Sequence, residues 1–385
     1  MEQVRPADPS FQIGRGKVQE LADLVREKKA EQVILDNELK PRQAYNLAKE
    51  TGVRAIDRFQ LILEIFARRA ATTEAKMQID LARLRYELPR AKEKVKLAKT
   101  REQPGFMGLG AYEVEVYYET IKRQIHHIKA KLKTVGKKRS LHRKRRIELG
   151  FSTISLAGYT NAGKSSLFNS LVKEEVRVGE GLFTTLSTTT RAVSLSNRKV
   201  LLTDTVGFID RLPLTLVEAF HSTLEETIFS DLILLVVDMS EAEDRIRSKL
   251  NVCLDTIQTI GASGVPIVTA LNKIDLLKGE ELAQKLLYIK GLAPNPVPVS
   301  AILRTNLLQL EHELTRFLKE YIRCSFTIPL MSQHALFLSW LHGKADVQSV
   351  KYENDNVRVV FESAPWFADM VRERVMQLGG VFEKA

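Results

Sequence analysis

Apolar positions along this chain switch between two periods, and the switches divide it into segments. In "GKVQELADLVREKKA" they recur every three to four residues, which predicts an amphipathic helix; "EQVILD" then reads as a short buried strand. "PRQAYNLAKETG" returns to the helical period between a starting Pro41 and a closing Gly52, residue types suited to the two ends of a helix. A second strand, "VRAID", and a helix, "RFQLILEIFARRA", complete residues 1–71. This alternation predicts a small α/β layer with parallel strands.

Residues 72–149 carry two long helical patterns. The first is expected to be interrupted near Pro89, and the second, from Ala111 to Leu149, to be loosened at Gly136. Between them "REQPGFMGLGA" supplies Pro104, Gly105, Gly108 and Gly110, so the pair reads as an antiparallel helical hairpin projecting from the body. Residues 150–325 alternate apolar strands with helices, and residues 326–385 read as a small α+β tail. The tail shows a helix in "QHALFLSWLHGKA", a hairpin of "SVKYEN" with "VRVVFESA", and a helix in "WFADMVRERVMQLGG". His334 and His342 lack supporting residues and read as surface side chains. The expected fold class is α/β, with a mostly parallel sheet covered by helices on both faces, the small α/β part and hairpin before it and the α+β tail after it.

Composition adds little beyond excluding classes. The chain has 385 residues, 44% hydrophobic and 27% charged, enough for two or three ordinary domains. Its best apolar run, "LILLVVDM", falls far short of the roughly 20 residues that span a bilayer. The first residues lack the apolar core of a secretory signal, and the two cysteines, Cys253 and Cys324, have no metal-ligand spacing. A cytoplasmic protein is expected.

Charge changes the picture more. Of the formal net +11, residues 1–150 contribute 34 Lys and Arg against 20 Asp and Glu. The stretch "KLKTVGKKRSLHRKRR", residues 131–146, holds nine basic residues and no acid. A solvated helix face is the plain reading; a polyanionic partner, nucleic acid or acidic lipid, is the sharper one.

The central segment carries the chemistry. "GYTNAGKS", Gly158 to Ser165, has the G-x-x-x-x-G-K-S spacing of a phosphate loop between an apolar strand, "STISLAG", and a helix, "KSSLFNSLV". Gly158 and Gly163 let the backbone curl so that N–H groups face phosphate oxygens. The cradle comprises Asn161, Ala162, Gly163, Lys164, Ser165 and Ser166, with Lys164 on the β- and γ-phosphates and the Ser165 hydroxyl on Mg²⁺. "DTVG" follows a strand ending at Asp204, which would hold Mg²⁺ through water, while Gly207 offers its N–H to the γ-phosphate. Upstream, "GLFTTLSTTTR" is a first-switch candidate; Thr185 is the expected Mg²⁺ and γ-phosphate ligand, with Thr184 and Thr189 as competitors.

Base choice falls to "LNKIDLL". Asp275 can accept from guanine N1–H and the 2-amino group, Asn272 would bond the other edge of the base, and the stem of Lys273 would pack on its face. "PVPVSA" would end a strand at Ser300 and Ala301, whose backbone can support guanine O6. Mg²⁺ is the expected cofactor, with GTP and GDP as substrate and product.

These boxes resemble those of translation-factor-class GTPases. "GYTNAGKSSLFN", "DTVGFIDRLPLTLVEAFHSTLEE" and "NKIDLL", with "IGRGKVQEL", "IDRFQLILEIFARRA" and "ELPR", resemble the HflX family of ribosome-associated GTPases from about residue 9 to 320. The resemblance implies an N-terminal domain of α/β part plus hairpin, binding to the large ribosomal subunit and, in several members, splitting of ribosomes. Two stretches depart from the family pattern. The hairpin loop reads "GFMGLGAYEVE" where a G-x-G-E-T-Q-like run is usual, and the first switch reads "TLSTTTR" where T-L-D-P-T is usual.

Phe208 stands where many small GTPases place a water-orienting glutamine, so slow unaided hydrolysis and stimulation by a partner are expected. The expected partners are the large subunit and its RNA, reached through residues 131–146, for a monomer without stable membrane insertion. Two other readings stay open. One is a signalling GTPase at a membrane or protein partner; the other is an RNA-remodelling enzyme with a second nucleotide site at "IGRGK", Gly14 to Lys17.

Overall fold

A computed structural model describes residues 6–101, 109–148, 152–172, 189–195, 198–205, 207–210, 226–318, 322–330, 334–342, 345–353, 355–363 and 365–384. By packing, the chain divides into two compact units, with the division at residues 135/136.

In the first unit, α1 (Arg15–Lys28), β1 (Gln32–Leu35), α2 (Pro41–Thr51), β2 (Arg54–Asp57) and α3 (Arg58–Arg69) follow the expected order, and β1 pairs in parallel with β2. Local chemistry sets the ends. Pro41 opens α2, Gly52 closes it in the left-handed region at φ 74°, and the Asp57 carboxylate caps α3 by accepting from Gln60 N. Leu39, Leu47 and Val33 make the small core.

Two long helices follow, α4 (Thr73–Arg101) and α5 (Leu109–Glu148). The expected interruption at Pro89 is not there: α4 runs through it. A mid-helix proline costs about 3 kcal/mol through its missing N–H and its ring. Packing on both sides opposes that cost, because Leu88 and Ala91 join Leu81 and Leu84 against Ile121 and Ile125 of α5. Arg90, next to the proline, donates to Leu39 O and to the Asp57 carboxylate. The expected loosening at Gly136 is also absent, since α5 is helical from end to end. The pairing is antiparallel: the Tyr117 hydroxyl meets Glu87 at 3.2 Å.

The second unit is built on a six-stranded sheet. Its strands are β3 (Ser152–Gly158), β4 (Thr189–Leu195), β5 (Arg198–Asp204), β6 (Leu232–Asp238), β7 (Ile267–Asn272) and β8 (Pro296–Pro298), in the order β4-β5-β3-β6-β7-β8. Only the β4–β5 pair is antiparallel. The apolar run of β6 and the near-continuous burial of β3 are what parallel strands show when both faces are covered. The covering helices include α6 (Lys164–Val172), α7 (Glu243–Thr259), α8 (Gly279–Ile289) and α9 (Leu307–Phe317). Ile154, Leu156, Phe168, Leu234, Val268 and Leu310 form its core.

The tail comprises β9 (Ile322–Pro329), α10 (His334–His342), β10 (Asp346–Glu353), β11 (Asn356–Ser363), α11 (Pro365–Gln377) and β12 (Val381–Lys384). Its antiparallel sheet has the order β10-β11-β9-β12, the ferredoxin-like βαββαβ arrangement. The boundary expected at 325/326 is displaced by this strand, which it would cut. Cys324, Phe326 and Ile328 of β9 pack in one core with Val357, Phe361 and Phe367 of the tail. Among the described residues, no helix is long and apolar enough to cross a membrane.

Candidate nucleotide-binding site

Parallel strands place their carboxyl ends along one edge, and the sequence-predicted residues sit there. The turn from β3 to α6 takes Gly158 to φ 145°, Asn161 to φ 63° and Gly163 to φ 91°. These conformations cost little for glycine and are tolerated by asparagine. Close approach explains the glycines as well as φ does. A Cβ on Gly158 would lie 2.4 Å from Val236 O, and one on Gly163 would lie 2.3 Å from Asn272 Nδ2.

Lys164 opens α6 and is 7% exposed. Its Nζ donates to Gly158 O at 3.1 Å and Tyr159 O at 2.9 Å, within the loop that it serves. Burial pushes its pKa below the ordinary lysine value, and the Asp204 carboxylate partly opposes that shift. Ser166 follows in the first turn of the helix, half-buried.

Ser165 and Asp204 are brought together from α6 and the end of β5, with the Ser165 hydroxyl donating to Asp204 Oδ2 at 2.9 Å. A hydroxyl beside a carboxylate is a hard-oxygen pair of the type that Mg²⁺ accepts, so these residues fit the expected ion. Thr184 and Thr185 lie outside the described residues. Thr189 opens β4 as the cross-strand partner of Asp204.

Gly207 lies under the phosphate loop. A Cβ there would sit 2.8 Å from Lys164 Nζ and 3.0 Å from Thr160 Cα and Cγ2. Phe208 is 2% exposed and pinned by its backbone, its N–H donating to Gly158 O at 2.9 Å and its carbonyl accepting from Thr160 N at 2.8 Å. The Tyr159 hydroxyl accepts from Asp210 N at 3.1 Å.

The base-side residues converge, but some of their polar atoms are engaged otherwise than expected. Asn272 is buried, donating from Nδ2 to Ala162 O at 3.0 Å and accepting at Oδ1 from Ala301 N at 3.0 Å. It therefore ties the phosphate loop to the Ser300–Ala301 turn, leaving the second Nδ2 hydrogen for a base edge. Lys273, at φ 67°, pairs with Asp238 Oδ2 at 2.6 Å. Asp275 Oδ1 accepts from the Ser300 hydroxyl at 2.6 Å.

The expected backbone support from Ser300 and Ala301 needs correcting. Ser300 N donates to Thr305 O at 3.3 Å and Ala301 N to Asn272, so both donors are already engaged. The strand expected to end there stops at Pro298, because β8 is a short edge strand. Asp238, Tyr159 and Thr160 escaped the sequence reading. Asp238 carried a usable signal, as the last residue of an apolar strand like Asp204 and Asn272.

Comparison with known proteins identifies the family. Residues 1–67 match a model described as GTP-binding GTPase N-terminal, residues 69–146 one described as GTP-binding GTPase middle region, and residues 153–273 one described as 50S ribosome-binding GTPase. A GTPase HflX of Methanocaldococcus jannaschii is 49% identical over 299 residues, 78% of this chain and 74% of the relative. The chain belongs to the HflX family of GTPases. Another member, from Thermofilum pendens, is 42% identical over 328 residues, 85% of this chain and 77% of the relative. A solved structure of a GTP-binding protein from Sulfolobus solfataricus in complex with GDP is 32% identical, with a TM-score of 0.45 over 82% of this chain and 88% of that one. As an HflX-family GTPase, the chain binds and hydrolyses GTP.

Proposed function

We propose that this HflX-family GTPase is a switch that associates with the large ribosomal subunit through ribosomal RNA and separates or recycles ribosomes. The carrying observation is the convergence of Lys164, Ser165, Asp204, Asn272 and Asp275 on one edge of the sheet, in a chain whose α5 ends in the basic run 131–146. Lys131, Lys133, Lys137 and Lys138 of that run are exposed. The family description of residues 153–273 as a 50S ribosome-binding GTPase supports the partner.

In this reading the phosphates lie in the cradle Asn161–Ser166, with the Lys164 ammonium relieved of its desolvation by their charge. Ser165, Asp204 and Thr185 would hold Mg²⁺, which when bound supplies neutralisation of phosphate charge. Gly207 N–H serves the γ-phosphate. On the base side, Asp275 reads guanine, Asn272 and Lys273 support it, and the Ser300–Ala301 turn positions Asp275 through the Ser300 hydroxyl. Hydrolysis moves a water oxygen onto the γ-phosphorus and breaks its bond to the bridging oxygen, whose electron pair leaves on GDP. Phe208 supplies no polar group for that water, which fits slow turnover until a partner contributes.

We assign residues 1–71 and 72–149 to the particle-binding part, 150 to about 320 to the GTPase domain and the remainder to the tail. Segments 182–191 and 205–225 would be ordered by GTP through its γ-phosphate and Mg²⁺. The protein would act as a cytoplasmic monomer.

A second nucleotide site at "IGRGK" is disfavoured by geometry. Gly14 is the N-cap of α1, no strand runs into it among the described residues, and Lys17 Nζ pairs with Glu20 at 2.9 Å. GTP turnover with and without purified large subunits tests the proposal. Stimulation that Lys164→Ala abolishes is expected; turnover indifferent to ribosomes, or raised instead by anionic vesicles, would sink it.

A further inference from the structure

Water attacking a γ-phosphate needs a polar group to hold it, and the structure withholds the residue usually looked to. Phe208 is buried, and both of its main-chain polar atoms are bonded to the phosphate loop. The nearest candidate lies across that bonded pair, on the loop itself.

Thr160 is 4% exposed, and its hydroxyl has no hydrogen-bond partner. Buried hydroxyls are seldom left so, and an orphan beside a binding site calls for a function. Its backbone cannot serve a phosphate as the other loop amides can, because Thr160 N–H is committed to Phe208 O at 2.8 Å. Its side chain stands in the right corner. The Cγ2 methyl lies 3.0 Å from the point that a Gly207 Cβ would occupy, and Lys164 Nζ lies 2.8 Å from the same point. A χ1 rotation of about 120° brings a threonine hydroxyl to the place its methyl held, while the methyl moves to that of the Cβ hydrogen. One rotamer step therefore carries the hydroxyl from its unpartnered position to the side shared by Lys164 and Gly207.

We propose that Thr160 is a catalytic residue of the GTPase reaction, its hydroxyl turning toward the γ-phosphate when GTP is bound and holding the attacking water. This rests on the assignment of the nucleotide site above. The hydroxyl accepts a hydrogen bond from the water and donates one to a γ-phosphate oxygen. The water oxygen bonds to phosphorus, the bridging bond breaks toward GDP, and the water's proton ends on the released phosphate. Thr160 is unchanged. A single hydroxyl in place of a side-chain amide would also keep the unaided reaction slow, because one oxygen must do the accepting and donating that an amide divides between two atoms.

The competing role is structural. Thr160 also borders a small cavity with Tyr159, Lys249 and Cys253, between the loop, β6 and α7, where its hydroxyl could meet a trapped water. Thr160→Val, Thr160→Ala and Thr160→Ser in the full chain separate the two. The readouts are single-turnover hydrolysis at saturating GTP, GDP affinity, and the tightening of GDP binding by aluminium fluoride. Loss of the hydroxyl should slow hydrolysis about 100-fold and abolish the aluminium fluoride effect with GDP affinity retained, while Thr160→Ser keeps most of the rate. Wild-type hydrolysis in both hydroxyl-free variants, or a Ser variant as slow as they are, overturns the proposal, as does a parallel fall in GDP affinity. Lys164→Ala distinguishes the failures. If it still binds GTP normally, the site assignment is wrong; if it does not while Thr160→Val hydrolyses normally, only the role of Thr160 is lost.

Discussion

At the scale of single residues, burial decides what each polar group can do. Lys164 is desolvated and its pKa lowered, which places its deprotonation in the folded chain below the ordinary 10.5. A triphosphate beside it restores the charged form. GTP binding in the window between the depressed and restored values should therefore take up a proton, and affinity should fall as pH rises through that window. Calorimetric titrations of alkaline samples in two buffers of different ionisation enthalpy measure the uptake; buffer-independent heats would contradict it. Asp275 makes a second prediction. One of its oxygens is held by the Ser300 hydroxyl, which orients the carboxylate. Asp275→Asn sets an amide donor against guanine donors and should weaken GTP binding about 100-fold, read by displacement of a fluorescent guanine nucleotide. Unchanged affinity would remove Asp275 from the base site.

Elements are joined here by a few buried polar atoms as well as by apolar packing. Asp57, 1% exposed at the end of β2, caps α3 and also accepts from Leu39 N at 3.1 Å, from Arg90 on α4 and from the Tyr86 hydroxyl. Arg90 stacks over the Tyr86 ring, which stacks in turn on Phe59. One carboxylate thus fastens the α/β layer to the first helix of the hairpin. Burial and this carboxylate push the Tyr86 phenol well above its usual range, so it stays a donor at any working pH. Asp57→Ala leaves Arg90 without its charge partner and three donors without their acceptor. A loss of about 3–5 kcal/mol is expected, seen as faster amide exchange in α3 and α4 of the full chain. Protection unchanged in α4 would show that apolar contacts alone hold the hairpin.

For the whole molecule the governing quantity is charge distribution. Basic excess is confined to the first 150 residues, while the remainder holds 24 Lys and Arg against 27 Asp and Glu. If the basic end of α5 meets RNA phosphates, the logarithm of ribosome affinity should fall linearly with the logarithm of salt concentration. Changing Lys131, Lys133, Lys137 and Lys138 to Gln should flatten that slope by about one unit for each lysine in contact, without altering GTP affinity. Pelleting across a salt series measures both. A slope untouched by the four changes would place the RNA contact elsewhere.

Much of this protein is legible in its sequence because the determinants are local. Gly158, Gly163, Lys164 and Ser165 declare a phosphate loop, since a strand, a tight turn and a helix start must follow one another within a few residues. Pro41, Gly52 and the apolar periods place the early helices and strands for the same reason. Distant partners decided the rest. Pro89 stays helical because Ala91 and Leu88 have α5 to pack against, and β9 belongs to the tail because Phe326 finds Phe361 and Phe337 there. Asn272, expected from the sequence as a base contact, turned out to brace the phosphate loop against the Ser300–Ala301 turn, and the Thr160 hydroxyl emerged only once its neighbours were in place. Backbone conformation is written in a residue and its immediate neighbours; which polar atoms are satisfied, and by whom, depends on groups a hundred residues away.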